Sequence, residues 1–413
     1  MTSDYLEWKQ NVQYLYDFIC SQTQEWPIYS LQWFSATEEL DNGGTLVKFV
    51  GGNYTNSKEP TFLHFYNVHL PPPDNVDASE VQDTVHGEPP CDGWDTTMKF
   101  DITRNIRTSG AVNKVRICPH DEDIIATYTS SANVELYNLK FERVIYESKS
   151  HPSRPDVTLT GLQDEGYGLC WSQVDHKFVA AGCNAGNILV WDVAGNSSAA
   201  VPPLLSLQVS SSDRPAAIGD AQFHPRSDNV IAACDDNGVL ALWDLRDSSL
   251  PRATLEAFDA ELNCVSWCEY RDPLLVAGGK NGYVGLFDSR KMRVLHQMEY
   301  HDSEVVSLSF SPLDESVVLS GDDSGMVCMW DLSGARSEPR STGYPADLLF
   351  VHGGHNGSVS DLSIHPSIRD LYMTTSSDNV VQIWTPAPPI QKRINPENKT
   401  LIQVEGKRVA NLR

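Results

Sequence analysis

The amino-acid sequence predicts an all-β fold, a seven-bladed β-propeller with one N-terminal α-helix. A 23-residue pattern recurs six times without a gap, at 117–139, 171–193, 223–245, 267–289, 310–332 and 364–386. A looser, longer copy runs from Leu31 to Val68. The chain has 413 residues and is 40% hydrophobic, which is enough to build a substantial buried core.

Each copy of the pattern contains three candidate strands. The first ends in an aromatic residue or Ile, the second is rich in small residues, and the third alternates before a terminal aromatic residue. Turns such as DDNG, KNG and DDSG suit hairpins that need positive φ angles. One unit cannot bury both of its faces, whereas units stacked radially bury one another. The copies start 43–54 residues apart, which predicts a WD-repeat propeller over residues 25–388.

Two copies also carry the residues of a buried hydrogen-bonded chain, and we interpret them as structural. These are His355, Thr374, Asp378 and Trp384 in one copy, and His301, Ser320, Asp323 and Trp330 in the other. The sequence has no phosphate loop, nucleophile elbow or HExxH motif. Its nine cysteines form no CxxC pair, which favours a reducing compartment. We therefore predict no catalytic, cofactor-binding or metal-ligating residue, and no enzymatic activity.

The charge balance is strongly acidic, with a net charge of −24. Such a field disfavours direct nucleic-acid binding and favours basic partners, although it also serves solubility alone. The tail at 389–413 is the exception, because it carries six bases and two acids. No apolar run approaches the length of a membrane span, so we expect no membrane association.

Acidic residues are predicted to gather around one mouth of the central channel. In a propeller blade, the loop before the first strand and the turn between the second and third strands open on the same face. These segments supply Glu165, Glu261, Asp302, Glu304, Asp235, Asp236, Asp322, Asp323 and Asp378, with Tyr167 beside Glu165. A Lys or Arg side chain that enters the mouth would meet several carboxylates. The competing interpretation is that hairpin turns simply favour Asp and Asn.

Residues 1–24 are predicted to form a helix on the propeller, helical to about Cys20, because apolar residues recur at spacings of three and four. Ser3 or Asp4 would cap it. Either the helix merely packs on the propeller, or it forms one wall of a groove for a partner helix. Residues 69–95 are predicted to be an acidic, Pro-rich loop within the first blade.

The order of these features resembles the histone-binding WD-repeat family of the retinoblastoma-binding and chromatin-assembly-factor small-subunit type. The resemblance covers residues 5–386, with this chain as a diverged member. Its most specific segments are WKQNVQYLYDF, EWPIYSLQW, EGYGLCW, AELNCVSW and LLFVHGGH.

The resemblance implies an acidic top face that binds the basic N-terminal tail of histone H3. The residues that match this site are Glu25, Trp26, Asn113, Glu165, Tyr167, Asp236, Asn263 and Glu304. The chain departs from the family at Ala111, Gly219 and Ser377, where the family has acids, and at Val306, where it has an aromatic residue.

The resemblance also implies a side groove that holds the first helix of histone H4. Leu15, Asp347 and Phe350 match this groove. The loop before the last blade departs from the family pattern. It keeps a single proline, Pro345, and the acids Glu338 and Asp347, and it adds Arg336 and Arg340.

These observations predict a histone-binding scaffold that presents H3–H4 to chromatin assembly, acetyltransferase, deacetylase, remodelling or Polycomb-type methyltransferase complexes. We expect a nuclear protein, with a cytoplasmic pool left open. The alternative is a substrate-receptor adaptor of a cullin-type ubiquitin ligase, because Asp244 and Arg246 in LWDLR resemble the WDxR motif of such receptors, and FDSR at 287–290 is a looser second copy. The motif also fits an ordinary strand end.

Overall fold

The structure of the chain is a computed structural model. It describes residues 3–72, 82–83, 100–140, 153–175, 177–194, 199–208, 216–247, 250–334 and 344–387. Most of the predicted acidic loop, the predicted basic tail, Arg336, Glu338, Arg340 and the side chains of Ser3 and Asp4 lie outside the described residues.

The described elements begin with one helix and continue almost entirely as strands. In chain order they are α1 Ser3–Leu15, β1 Tyr16–Thr23, β2 Ile28–Trp33, β3 Glu38–Glu39, β4 Thr45–Asn53, β5 Phe62–Leu70, β6 Gln82–Asp83, β7 Phe100–Arg107, β8 Val112–Ile117, β9 Ile124–Thr129, β10 Asn133–Asn138, β11 Val157–Leu159, β12 Leu169–Trp171, β13 Phe178–Gly182, β14 Asn187–Asp192, β15 Ala200–Val201, β16 Leu205–Gln208, β17 Ile218–His224, β18 Ser227–Asp235, β19 Val239–Asp244, β20 Ala253–Glu256, β21 Leu262–Trp267, β22 Leu274–Gly279, β23 Tyr283–Asp288, β24 Arg293–Glu299, β25 Val305–Phe310, β26 Val317–Asp322, β27 Val327–Asp331, a 3-10 turn at Leu332–Gly334, β28 Leu348–His352, β29 Val359–Ile364, β30 Tyr372–Ser376 and β31 Val380–Pro386.

The strands form seven blades whose core strands are antiparallel, so the predicted seven-bladed WD-repeat propeller with an N-terminal helix is confirmed. Blades 1 to 7 begin with the innermost strands β2, β8, β12, β17, β21, β25 and β29. The third strand of every blade ends in an aromatic side chain that is at most 1% exposed. These side chains are Tyr66, Tyr137, Trp191, Trp243, Phe287, Trp330 and Trp384. The repeated sequence pattern is therefore a repeated core position, where each aromatic ring fills the space between neighbouring sheets.

The propeller closes by pairing the two ends of the chain. Strand β1 lies antiparallel to β31, with Ile19 opposite Trp384 and Thr23 opposite Val380, and so becomes part of blade 7. The prediction of a helix to about Cys20 was therefore wrong beyond Leu15. The buried Phe18, Ile19 and Cys20 would suit a helix as well as a strand, but strand pairing covers the edge that β31 would otherwise expose. Among the described residues, no helix has the length and apolarity that a membrane-spanning segment requires.

Candidate functional site: the channel mouth and the side groove

The innermost strands surround a central channel of about 1010 Å³. In six blades, the pairing of the first strand with the second shifts by one residue near the start of the first strand, which is a β-bulge. The six residues at these bulges all line the channel, and we call them the bulge ring: Tyr29, Asn113, Gly219, Asn263, Val306 and Ser360. A bulge re-aims one side chain without moving the strand. The mouth is therefore built on rigid core strands, one position per blade.

Two asparagines of the bulge ring hold glutamates of the next blade. The Asn113 amide donates to Glu165 Oε2 at 3.0 Å and to the Gly166 carbonyl at 3.2 Å. The Asn263 amide repeats this arrangement, with Val305 O at 3.0 Å and Glu304 Oε2 at 3.5 Å. Each amide therefore fixes both the loop and its carboxylate beside the channel, before any ligand arrives.

The acids predicted at the mouth divide into internal and surface groups. Asp235 is 1% exposed and accepts the amides of Asn237 and Val239, so it stabilises its own turn. Asp322 is fully buried against His301. The expectation that all the turn acids face a ligand was thus wrong, because the turn amides and the blade histidines already use these carboxylates.

Asp378 is likewise occupied within the protein. It accepts the amides of Asn356 at 2.8 Å and Val380 at 3.1 Å. Asp236, Glu304 and Asp323, by contrast, line the channel. Partial desolvation, followed by the charges of Glu261 and Asp235, raises the pKa of Asp236. A cation at this position would relieve that crowding of like charges.

The matched top-face residues are not all at the channel. Asn113, Tyr167, Asp236, Asn263 and Glu304 line it, and Asn113 holds Glu165 beside it. Glu25 and Trp26 lie on the loop between β1 and β2 and do not line the channel.

Trp26 and Glu25 have contacts of their own on that loop. The Trp26 indole donates to Glu59 Oε2 at 3.0 Å, and Lys58 Nζ lies 5.9 Å from the centroid of its ring. The Glu25 carbonyl accepts the Asn379 amide at 3.3 Å. The β1–β2 loop is thus tied down at both residues, away from the central opening.

An aromatic cluster at the mouth was missed in the sequence. The rings of Tyr29 and Tyr54 stack with centroids 4.6 Å apart and planes 4° from parallel. Tyr29 and Tyr167 line the channel, and Tyr167 is 51% exposed. Burial raises the pKa of Tyr167, and the nearby Glu165, Tyr29 and Tyr54 raise it further. The bulge at Tyr29 produces this arrangement, and alignment of Tyr29 with Asn113 and Asn263 across the copies was the available signal.

Deeper in the channel, charged side chains neutralise one another. Asp361 lies 3.3 Å from Lys114 Nζ and 3.4 Å from Arg116 Nη1, and it accepts the Ser30 hydroxyl at 2.7 Å. Burial alone would raise the pKa of Asp361, but the two cations outweigh it and lower the pKa. Because this cluster is internally paired, the attraction for a basic ligand resides at the mouth.

The predicted hydrogen-bonded chains are present in blades 6 and 7. His301 contacts Asp322 at 2.8 Å and Ser320 at 2.7 Å, and the Trp330 indole donates to Ser320 at 2.7 Å. The acid is thus Asp322, and the prediction of Asp323 was wrong by one residue, since strand β26 extends through Asp322.

Blade 7 uses the corresponding set of side chains. The His355 imidazole contacts the Thr374 hydroxyl at 2.9 Å and lies 3.8 Å from Asp378, and the Trp384 indole donates to Thr374 at 3.3 Å. All of these contacts satisfy groups inside the blade, which fits the structural interpretation.

At the side groove, helix α1 packs its apolar stripe on the propeller. Tyr5, Trp8, Val12 and Leu15 are each at most 5% exposed. A Cβ atom on Gly354 would lie 2.9 Å from the Trp8 ring, so the two glycines of FVHGGH leave room for the helix.

A buried polar relay joins helix α1 to blades 6 and 7. The Trp8 indole donates to the Tyr16 hydroxyl at 2.8 Å, and that hydroxyl lies 2.6 Å from His352 Nδ1. Burial lowers the pKa of His352 well below its ordinary value, so the ring is neutral and accepts the hydroxyl proton. His352 also stacks on Trp384 with ring centroids 4.7 Å apart. The relay therefore ties the helix to the closing strand.

The structure places the predicted groove residues inside the protein. Leu15 and Phe350 belong to one buried cluster and are 5% and 6% exposed. Asp347 is 4% exposed and lies 2.7 Å from His296 Nε2, so its carboxylate is bound within the propeller. Tyr14, next to Leu15, is instead 70% exposed. Sequence reasoning missed Tyr14, although a large aromatic residue off the apolar stripe was the available signal.

The WDxR resemblance corresponds to two similar surface pairs. Arg246 grips Asp244 with contacts of 2.8 and 2.6 Å, and its side chain is 72% exposed. Arg290 grips Asp288 in the same way at 3.2 and 3.1 Å. The Arg246 guanidinium lowers the pKa of Asp244 to about 2. Both arginines therefore stand at the ends of third strands in adjacent blades, held by their own aspartates.

Sequence comparisons agree with this geometry. Residues 292–331 and 346–385 match the family model of the WD domain, G-beta repeat. Together with the seven blades, these matches define the class as a WD-repeat β-propeller. Residues 3–72 match the family model that describes the histone-binding protein RBBP4 and its counterpart in the CAF1 complex. The chain accordingly belongs to the histone-binding WD-repeat family, which confirms the predicted resemblance.

This assignment supports a coarse function. The matched families indicate a histone-binding scaffold of the WD-repeat type. Proteins of this family are generally non-enzymatic and associated with chromatin, which agrees with a nuclear location. Within the described residues, no group of three or more His, Cys, Asp or Glu side chains is arranged to hold a metal ion.

Proposed function

We propose that the protein binds histones H3 and H4 and presents them to chromatin-assembling or chromatin-modifying complexes, with the H3 tail bound at the channel mouth. The observation that carries this proposal is the pair of asparagine-held glutamates, Glu165 and Glu304, beside the bulge ring. Their carboxylates stand on different blades of one opening, so a single basic segment can contact both.

Charge and preorganisation both favour a cationic tail at this mouth. Glu165 and Glu304 are half-buried, so a Lys or Arg side chain pairs with them in a setting less screened than bulk water. The asparagine amides hold the carboxylates before binding, which reduces the entropy lost when the complex forms. The net charge of −24 draws basic segments towards the surface and opposes direct nucleic-acid binding.

The side groove is the second proposed histone site. The name of the model that matches residues 3–72 supports a histone-binding role for the segment that contains α1. Because Leu15 and Phe350 are already buried, we assign the contact with the first helix of H4 to exposed groups around them, above all Tyr14. Part of the opposite wall, at 335–343, lies outside the described residues.

The partners proposed for this scaffold are histones and the subunits of chromatin complexes. They comprise chromatin assembly, acetyltransferase, deacetylase, remodelling or Polycomb-type methyltransferase complexes, and the protein would act in the nucleus without its own catalysis. A propeller suits this role because separate sites on its mouth and flank allow two partners to be held together.

Titration of an H3 tail peptide tests the mouth. We expect the Glu165→Gln/Glu304→Gln double variant to bind at least tenfold more weakly than wild type, because each charge-assisted contact contributes on the order of 1 kcal/mol. Glu256→Gln, on the outer strand of blade 4, is the matched control and should bind like wild type. Equal affinities for the double variant and wild type would remove the proposal for the mouth.

A ubiquitin-ligase adaptor is the second candidate function, favoured by the two exposed arginines, Arg246 and Arg290. A pull-down with the linker subunit of a cullin-type ligase tests it. Capture by wild type but not by Arg246→Ala/Arg290→Ala would support this function. Absence of capture by wild type would leave the two pairs as surface ion pairs that end their strands.

A further inference from the structure

The mouth has two chemically different halves. The half formed by blades 4 to 6 presents the carboxylates of Asp236, Glu304 and Asp323 to the channel. The other half presents the rings of Tyr29 and Tyr167, with Tyr54 stacked behind Tyr29. We call the three tyrosines the aromatic wall. A basic segment across the opening therefore meets carboxylates on one side and ring faces on the other.

The aromatic wall offers little hydrogen bonding to an ordinary lysine. A lysine ammonium has three N–H donors and loses free energy when they leave water without acceptors. The carboxylate next to the wall, Glu165, is already bound to the Asn113 amide. The neighbouring Ala111 is buried and has no polar side chain. An unmodified ammonium thus finds few acceptors beside the rings.

A methylated ammonium has the opposite requirements. Trimethylation keeps the positive charge, removes all three N–H donors, and spreads the charge over methyl groups that pack on aromatic faces. The Tyr29–Tyr54 stack holds one ring in place, so a ligand spends little free energy on ordering it. Glu165 adds a negative charge beside Tyr167 without requiring a donor from the ligand.

We propose that the aromatic wall of Tyr29, Tyr54 and Tyr167 recognises a methylated lysine in the basic segment bound at the mouth. This inference rests on the proposed function, because it assigns a side-chain preference to the same opening. The wall makes the mouth a reader of lysine methylation, while the acidic half supplies the affinity for unmodified basic residues.

The test compares H3 tail peptides by calorimetry, with each lysine in turn unmodified, trimethylated, or replaced by the neutral carbon isostere of trimethyl-lysine. We expect one trimethylated peptide to bind wild type about threefold to tenfold tighter than its unmodified form. The neutral isostere should not show this gain, because it lacks the charge that the ring faces attract.

Variants of the wall complete the test. Tyr29→Phe should keep the gain, whereas Tyr29→Ala should reduce it to less than about twofold and leave the affinity for the unmodified peptide nearly unchanged. Tyr270→Ala, an exposed tyrosine outside the channel lining, is the control. Thermal unfolding of Tyr29→Ala and Tyr29→Phe shows whether both variants remain folded.

The outcomes separate this inference from the proposed function. If unmodified peptide binds and trimethylation gives no gain, or the isostere gains equally, the inference is overturned and the mouth remains a histone site. If no H3 peptide binds in any form, both are overturned. If the gain survives in Tyr29→Ala, the methyl group is recognised elsewhere and the aromatic wall is rejected.

Discussion

The channel mouth and the side groove differ in how much of each is already used by the fold. At the mouth, β-bulges direct side chains into an open channel, and asparagines hold two glutamates at its edge. In the groove, Leu15 and Phe350 are buried and Asp347 is bound to His296. The mouth therefore has preorganised groups that a ligand can reach, whereas the predicted groove residues chiefly anchor the helix. Matching residue types alone did not distinguish these two situations.

The largest expected effect is on the anchoring of α1. Replacement of Trp8 by Ala removes a 4%-exposed indole and its hydrogen bond to Tyr16. We expect a loss of about 3–5 kcal/mol in the free energy of unfolding. Chemical denaturation of Trp8→Ala and of the surface control Gln13→Ala measures this loss. A Trp8→Ala protein as stable as the control would show that the groove residues are not committed to the fold.

Acid sharpens the comparison through blade 7, which supports α1. Burial lowers the pKa of His365 from 6.5 to about 4, and its Nδ1 accepts the amides of Ser367 and Ile368 at 3.1 and 2.9 Å. The unfolded chain thus takes up this proton first, and stability falls as the pH drops from 6.5 towards 4. The expected loss from this residue is at most about 3 kcal/mol.

His365→Asn provides the matched variant for this pH dependence. An Asn side chain can accept the same backbone amides but does not titrate. We expect denaturation midpoints of wild type to fall more steeply than those of His365→Asn between pH 6.5 and pH 4. Parallel curves would mean that His365 has an ordinary pKa in the folded protein.

A medium effect is expected for Tyr14 at the groove. Because its side chain is 70% exposed, Tyr14→Ala should leave the stability within about 0.5 kcal/mol of wild type. We expect the same change to weaken binding of a peptide from the first helix of H4 about tenfold, as aromatic contacts at interfaces do. Unchanged affinity would place the H4 contact elsewhere on the protein.

The smallest expected effect concerns the residues that position the glutamates. Asn113→Ala removes the amide that holds Glu165 but leaves the carboxylate in the protein. We expect about a threefold to tenfold loss of affinity for the H3 tail peptide, because the loop must then be ordered on binding. The double variant Asn113→Ala/Glu165→Gln should bind little more weakly than Glu165→Gln alone. Additive losses would show that Asn113 contacts the peptide itself.

Sequence patterns predicted the blades well because each blade is a local unit. The copies repeat strand, turn and aromatic core residue, and the aromatic positions from Tyr66 to Trp384 are all buried as the repeat requires. Strand β1 was missed because its partner β31 lies at the other end of the chain, so no local signal reports the pairing.

The site was only partly predictable, for reasons of one-residue geometry. A β-bulge leaves no mark in an apolar pattern, so the sequence alone makes Tyr29 an ordinary strand residue, and only the register shift sets it apart. Asp322 and Asp323 differ by one position, yet one is buried against His301 and the other lines the channel. Asp347 matched a family position, but its pairing with His296 depends on a neighbouring blade that residue matching does not report.

Amide hydrogen exchange of the protein with and without an H3 tail peptide tests most directly the claim that the mouth, and not the groove, receives the basic tail. We expect slower exchange in the segments around Glu165, Asn263 and Glu304, and unchanged exchange in α1. Slower exchange confined to α1 and β28, with no change around the channel, would contradict the account.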